Sequence, residues 1–156
     1  VRPTSLRTLG VVALLAGLAT YLLFRARYGA LPPVPLTIAP SVFLLAVAEL
    51  FLAPSVRARL QGRPRTKPIL PIAVARTAAF AKASSAMGAL FAGCLLGVEA
   101  YVLSRRDVPA ARTDAVRASI GLGAALLLVV AALRLENVCR VPKPPDAPPP
   151  AEPGPS

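Results

Sequence analysis

A chain of 156 residues that is 55% apolar and carries 18 Lys and Arg against 7 Asp and Glu, with no histidine, gathers its apolar residues into a few long runs. That grouping excludes an ordinary soluble domain, which would mix charge along its helices, and marks a lipid bilayer as the solvent. The net charge of +11 flanks the runs without an aromatic-studded basic surface or a nucleic-acid motif, so it reads as membrane topology, and the missing histidine removes the commonest general base and metal ligand.

The first run spans about Leu6 to Phe24, and from Leu9 onward it holds no charged residue. At about 1.5 Å of rise per residue it is long enough to cross a bilayer as a helix. Arg2 and Arg7 precede it and Arg25 and Arg27 follow. It is longer than the core of a usual secretory signal, and Tyr28-Gly29-Ala30 sets no small residue three positions before a cut, so an uncleaved span is expected. Leu31-Pro32-Pro33-Val34-Pro35 then makes a stiff connector, because proline fixes φ and disfavours helix in the residue before it.

The second predicted span covers about Leu36 to Ala53, with Pro40 near its start, Glu49 inside it and Pro54 marking its end. Between Ser55 and Lys67 stand Arg57, Arg59, Arg63, Arg65 and Lys67 with no acid to offset them. These five are the strongest orientation signal in the chain and candidate contacts for anionic lipid, each worth on the order of 1 kcal/mol near a charged leaflet. A third helix is predicted from near Ile69 or Ile72 to Leu103, too long for hydrocarbon unless tilted. Its first turns, with Arg76 and Lys82, read as interfacial, and Ala83 to Leu103 as the span proper. A polar loop over 104–117 leads to the fourth span, about Ala118 to Leu135, uncharged from Ser119 to Leu133.

The fold expected is therefore an all-α integral membrane protein, a four-transmembrane-helix bundle over residues 1–141. A proline-rich tail over 142–156 cannot bury a core and is expected to be disordered. Four spans put both termini on one side. With the termini inside, Arg2, Arg7, the five basic residues of 57–67, Arg76, Lys82, Arg134, Arg140 and Lys143 are cytoplasmic, and Arg25, Arg27, Arg105, Arg106, Arg112 and Arg117 are outside, twelve against six. Tyr21, Tyr28 and Tyr101 then fall near the outer headgroups, as an aromatic belt would. The excess of Arg over Lys, with abundant Ala, Gly and Pro, fits a GC-rich bacterial genome and hence a bacterial cell membrane.

Ser85, Ala89, Gly93 and Gly97 recur every four residues and give the third helix one face of small side chains, where a neighbouring backbone can approach closely. Ala13 and Gly17 in the first span, and Gly121 and Ala125 in the fourth, offer the same spacing. Packing within one bundle is the expected use; homodimerisation is the alternative. Glu49 and Glu99 are ionisable groups in or near hydrocarbon, where they are costly and by default functional suspects. Glu99 is expected to reach toward water beside Arg105 and Arg106. Glu49 is expected to pair with Lys82, or with Arg76 a turn and a half further out, between the second and third helices. Cys94 and Cys139 have neither metal-ligand spacing nor a disulfide framework and read as packing residues.

Leu31-Pro32-Pro33, Ala46-Val47-Ala48-Glu49-Leu50, the stretch from Ala75 to Ser84 and Glu136-Asn137-Val138-Cys139-Arg140 resemble a bacterial family. It is domain-of-unknown-function family 3180, small four-span membrane proteins of high-GC Gram-positive bacteria, and the likeness runs from Arg2 to about Pro142. The resemblance implies a four-helix membrane architecture and supplies no activity, ligand or catalytic residue.

No serine triad, glycine-rich phosphate loop or zinc-protease motif is present, so neither catalysis nor a cofactor is expected. The leading expectation is a non-catalytic partner or scaffold subunit of a membrane assembly. A small transporter or channel, as an oligomer, and an anionic-lipid-binding module are the alternatives. The partners expected are the bilayer and either another membrane protein or a second copy of the chain.

Overall fold

The computed structural model describes residues 4–27, 37–60, 70–105 and 109–139. The connector at 31–35, Arg63, Arg65 and Lys67 of the basic stretch, Tyr28, Arg106 and the proline-rich tail lie outside them. Among the described residues there are four helices and no strand: α1 (Leu6–Arg27), α2 (Ile38–Leu60), α3 (Pro71–Leu103) and α4 (Pro109–Val138). Each is long and apolar enough to cross a bilayer, and together they form an all-α membrane bundle.

The helix ends follow local chemistry. Pro71 opens α3, its fixed φ suited to a first turn and its missing N–H costing nothing there, while the Leu70 carbonyl accepts from Ala73 N at 2.9 Å and Val74 N at 3.3 Å. At the other end the Ser104 hydroxyl donates to the Tyr101 carbonyl at 2.6 Å. Pro109 opens α4 in the same way as Pro71 opens α3. Pro54 does not end α2: the helix runs through it to Leu60, with the Ser55 hydroxyl donating back to the Phe51 carbonyl at 3.2 Å. Proline has no N–H, so the Leu50 carbonyl loses its usual helical donor at that point. The 33 residues of α3 make about 50 Å of helix, longer than a bilayer's hydrocarbon core.

The packing is small side chains inside, large ones outside. Ala46, Ala81, Ala111, Ala118, Ala131 and Ala132 are fully buried, whereas Leu14, Leu15, Leu44, Phe51, Phe80, Leu90, Ile120 and Leu126 are exposed. Lipid tails are as apolar as leucine, so a bundle in lipid gains little by hiding leucines and much by bringing backbones together over alanine and glycine.

Three helix pairs hold the bundle: α1 on α3, α3 on α4, and α4 on α2. Matching levels give the directions. Ala13 meets Gly93 and Gly17 meets Gly97, so α1 and α3 run parallel; Gly88 meets Val129 while Gly121 meets Leu95, so α3 and α4 are antiparallel. Ala46 packs level with Leu128 and Ala131, and Ala53 and Val56 level with Leu135 and Cys139, so α2 and α4 run parallel. The result is a row α1, α3, α4, α2. The C-terminal end of α2 and the N-terminal ends of α1 and α3 share one end of it, called the basic end below for Arg57 and Arg59 of the last turn of α2.

Candidate functional site

Gly93 and Gly97 are the tightest points between α1 and α3. A Cβ on Gly93 would strike the Ala13 carbonyl oxygen, and one on Gly97 the Gly17 carbonyl oxygen. The small-residue face is thus split between partners: Gly93 and Gly97 serve α1, while Gly88, which the every-four spacing misses, serves α4, where a Cβ would lie 2.8 Å from Val129 Cγ2 and 3.2 Å from the Ala125 carbonyl oxygen. Ser85 and Ala89 of the same face are buried. Alongside this contact runs a shallow apolar groove of about 510 Å³ lined by Gly10, Ala13, Leu14, Gly17, Leu18, Tyr21, Leu96, Gly97 and Ala100. Nothing lies within 4 Å of where a Cβ on Gly10 would stand.

Near the basic end the bundle buries polar groups. Glu49 of α2 is 1% exposed, as are Ser84 and Ser85 of α3 and Glu136 of α4 to within a few percent. The Glu136 Oε1 accepts the Thr4 backbone N–H at 2.8 Å, just ahead of the first turn of α1, where a helix leaves amide donors unsatisfied and favours negative charge. Ser85 Oγ donates to the Lys82 carbonyl at 2.9 Å. Next to Glu136, burial and the carboxylate hold the Cys139 thiol above its ordinary range. Cys94 is a free, half-buried thiol on α3.

The expected ion pair between Glu49 and Lys82 does not form, and Arg76 does not replace Lys82. Both carboxylate oxygens of Glu49 are buried without a hydrogen-bond partner, while Lys82 and Arg76 stand on the exposed side of α3. The reason is the order of packing: α2 lies along α4 and approaches α3 toward the basic end, where Ala53, Val56, Ala78 and Ala81 share one cluster. The α3 residue beside Glu49 is Ser84, whose hydroxyl approaches the carboxyl without a well-formed hydrogen bond to either oxygen. Of the basic stretch, Arg57 and Arg59 are exposed on the last turns of α2.

At the far end Glu99 accepts from the Ser119 hydroxyl across α3 and α4, at an exposed position. Tyr101 turns its ring into the bundle. It is buried with Phe24, Val98 and Val102 against Ala111 and Ala118, edge-on to Tyr21 and Phe24 at centroid separations of 6.3 and 6.1 Å, with the Arg105 guanidinium 5.8 Å from its ring centre.

The described residues contain no group of three acid, cysteine or histidine side chains placed to hold a metal. Residues 9–143, nearly all of the bundle, match the family described as a protein of unknown function, DUF3180. The chain belongs to the DUF3180 family. No curated protein and no solved structure matches it. The DUF3180 match takes in all four helices, Glu49 and Glu136 included, and stops at Lys143.

Proposed function

We propose that this DUF3180 chain is a non-catalytic subunit of a bacterial cell-membrane assembly, with both ends in the cytoplasm, seating one transmembrane helix of a different protein in the groove between α1 and α3. The observation that supports this reading is the open Gly10 side of that groove. There a Cβ on Gly10 would meet nothing within 4 Å, and a partner backbone can come close, which is how helices associate in lipid. A second copy of the chain fits less well. A two-fold contact on α1 brings each residue near its own counterpart, and exposed Arg7, Arg25 and Arg27 would then face like charges at both ends.

Gly10→Leu starts a side chain where a Cβ meets nothing within 4 Å and sends it into the groove. In mild detergent, the full chain is expected to purify from its native membrane with one stoichiometric membrane protein, and Gly10→Leu to lose it while keeping the helical content of the unaltered chain. A partner retained by Gly10→Leu removes the groove from the contact. A homodimer that moves a substrate in liposomes gives the transporter reading instead, and retention of acidic lipid alone gives the lipid-binding one, through Arg57 and Arg59 and their neighbours in sequence.

The orientation rests on the excess of basic residues at the end of the bundle where α2 finishes. Reporter fusions at Gly62 and Ser156 are expected to report the cytoplasm, and one at Asp107 the outside. The reverse pattern inverts the protein in the membrane, and disagreement between Gly62 and Ser156 breaks the four-span count.

A further inference from the structure

Among the described residues Glu49 has no counterpart to its charge. On its own helix Ala46 and Ala53 flank it one turn either way, and both pack against α4 or α3. The charged and titratable groups of the surrounding elements turn elsewhere. Lys82 and Arg76 on α3, Arg134 on α4, Arg7 on α1 and Arg57 and Arg59 on α2 are exposed; Glu136 is bonded to the Thr4 N–H; Cys139 lies in the layer of Ala53 and Leu135. Two further polar features toward this end of the bundle lack their usual partners. Thr4 Oγ1 is buried without a hydrogen bond, and the Leu50 carbonyl has lost the donor that Pro54 cannot supply.

A carboxylate so placed is neutralised by a ligand, because an isolated charge in low dielectric is far more costly than a neutral acid. A metal ion is a poor fit. Hard cations take six or more oxygens, or keep several waters, and here one carboxylate and the Ser84 hydroxyl come together among the described residues, with Ser85 committed to the Lys82 carbonyl. One proton satisfies the geometry. It turns one oxygen of Glu49 into a donor toward Ser84 and leaves the other as an acceptor.

We propose that Glu49 is a reversible proton-binding site at the junction of α2, α3 and α4. The carboxylate takes a proton from a hydronium ion at the basic end to give the neutral acid and a water molecule, and the O–H bond breaks again to return the proton to water there. Exchange runs to the basic end. Arg57 and Arg59 keep water about 12 and 15 Å along the helix from Glu49, and Pro54 weakens the helix between them. Glu136, about one turn nearer that end by the pairing of Ala53 with Leu135, lies on the way.

The test is infrared spectroscopy of the full chain in phosphatidylcholine and phosphatidylglycerol liposomes. At neutral pH a protonated-carboxyl C=O band is expected, shifting in heavy water, fading as pH rises, lost in Glu49→Gln and kept in Glu99→Gln and Glu136→Gln. Glu49→Gln mimics the neutral acid and is expected to fold with the yield and thermal midpoint of the unaltered chain. A band untouched by Glu49→Gln, or no band, overturns the site. A Glu49→Gln chain that fails to fold does so equally, since it shows that the charge is needed. A band lost in Glu49→Gln but blind to heavy water and pH marks a resident proton and overturns reversible binding.

Discussion

Replacing Gly93 or Gly97 with alanine is expected to cost about 3 kcal/mol each, the upper part of the range for overpacking a well-packed interior. The added methyl meets a carbonyl oxygen of α1, not the movable end of a side chain, so relief requires the two helices to separate along their contact. Helix propensity pulls the other way by about 0.5–1 kcal/mol in favour of alanine, too little to change the sign. Gly10→Ala and Gly123→Ala are the controls. Nothing lies within 4 Å of either added methyl, so both are expected to be neutral or slightly stabilising. Thermal unfolding in detergent, followed by circular dichroism, separates the two pairs; equal midpoints for Gly93→Ala and Gly10→Ala would show that α1 does not sit on α3 as described.

Ala46→Leu is expected to unseat α2. Ala46 is fully buried against Leu128 and Ala131, and α4 is the one helix along which α2 packs. Leucine there must push α2 outward, at a cost of about 2–3 kcal/mol. The same change at Ala48, on the exposed side of α2, leaves the seat alone. The expected reading is a lower unfolding midpoint and faster proteolysis near α2 for Ala46→Leu only. Matching behaviour of the two variants would mean that α2 is not docked through Ala46.

The four helices were legible because runs such as Leu9 to Phe24 and Ser119 to Leu133 exclude charge, and hydropathy alone decides what lipid will accept. Gly93 and Gly97 were legible because close backbone approach demands small residues at helical spacing. Which helix sits beside which was not. The short basic stretch between the second and third helices suggests that they are neighbours, and from that assumption comes the pairing of Glu49 with Lys82. Yet α2 and α3 approach each other toward their shared end, and α4 fills the place between them. No periodicity in α2 could reveal this, since alanine and leucine suit both lipid and protein surroundings. Glu136 was overlooked because the apolar run stops at Leu135 while the helix goes on to Val138. A signal was there: Ala125, Leu128, Ala132 and Glu136 are spaced by three or four residues and are all buried, so the acid continues the inner face. Tyr101 shows the limit of reading a tyrosine near the end of a span as a headgroup anchor, because ring packing with Phe24 uses the same residue type at the same depth.

The row α1, α3, α4, α2 has a consequence for how the protein is made. The ribosome delivers α1 and α2 first, and these are the two outer members, which do not pack along each other. When Leu60 emerges, the surface that will hold α2 is still about 80 residues from completion at Cys139. At roughly 5–20 residues per second that is about 4–16 s. Throughout that interval α2 floats in lipid with Glu49 uncovered. Assembly is therefore staggered: α1 can settle on α3 as soon as that helix is inserted, while α2 waits for α4. Until α4 is in place α2 has no seat along its length, and a chain cut short after Leu103 leaves it with no place to dock.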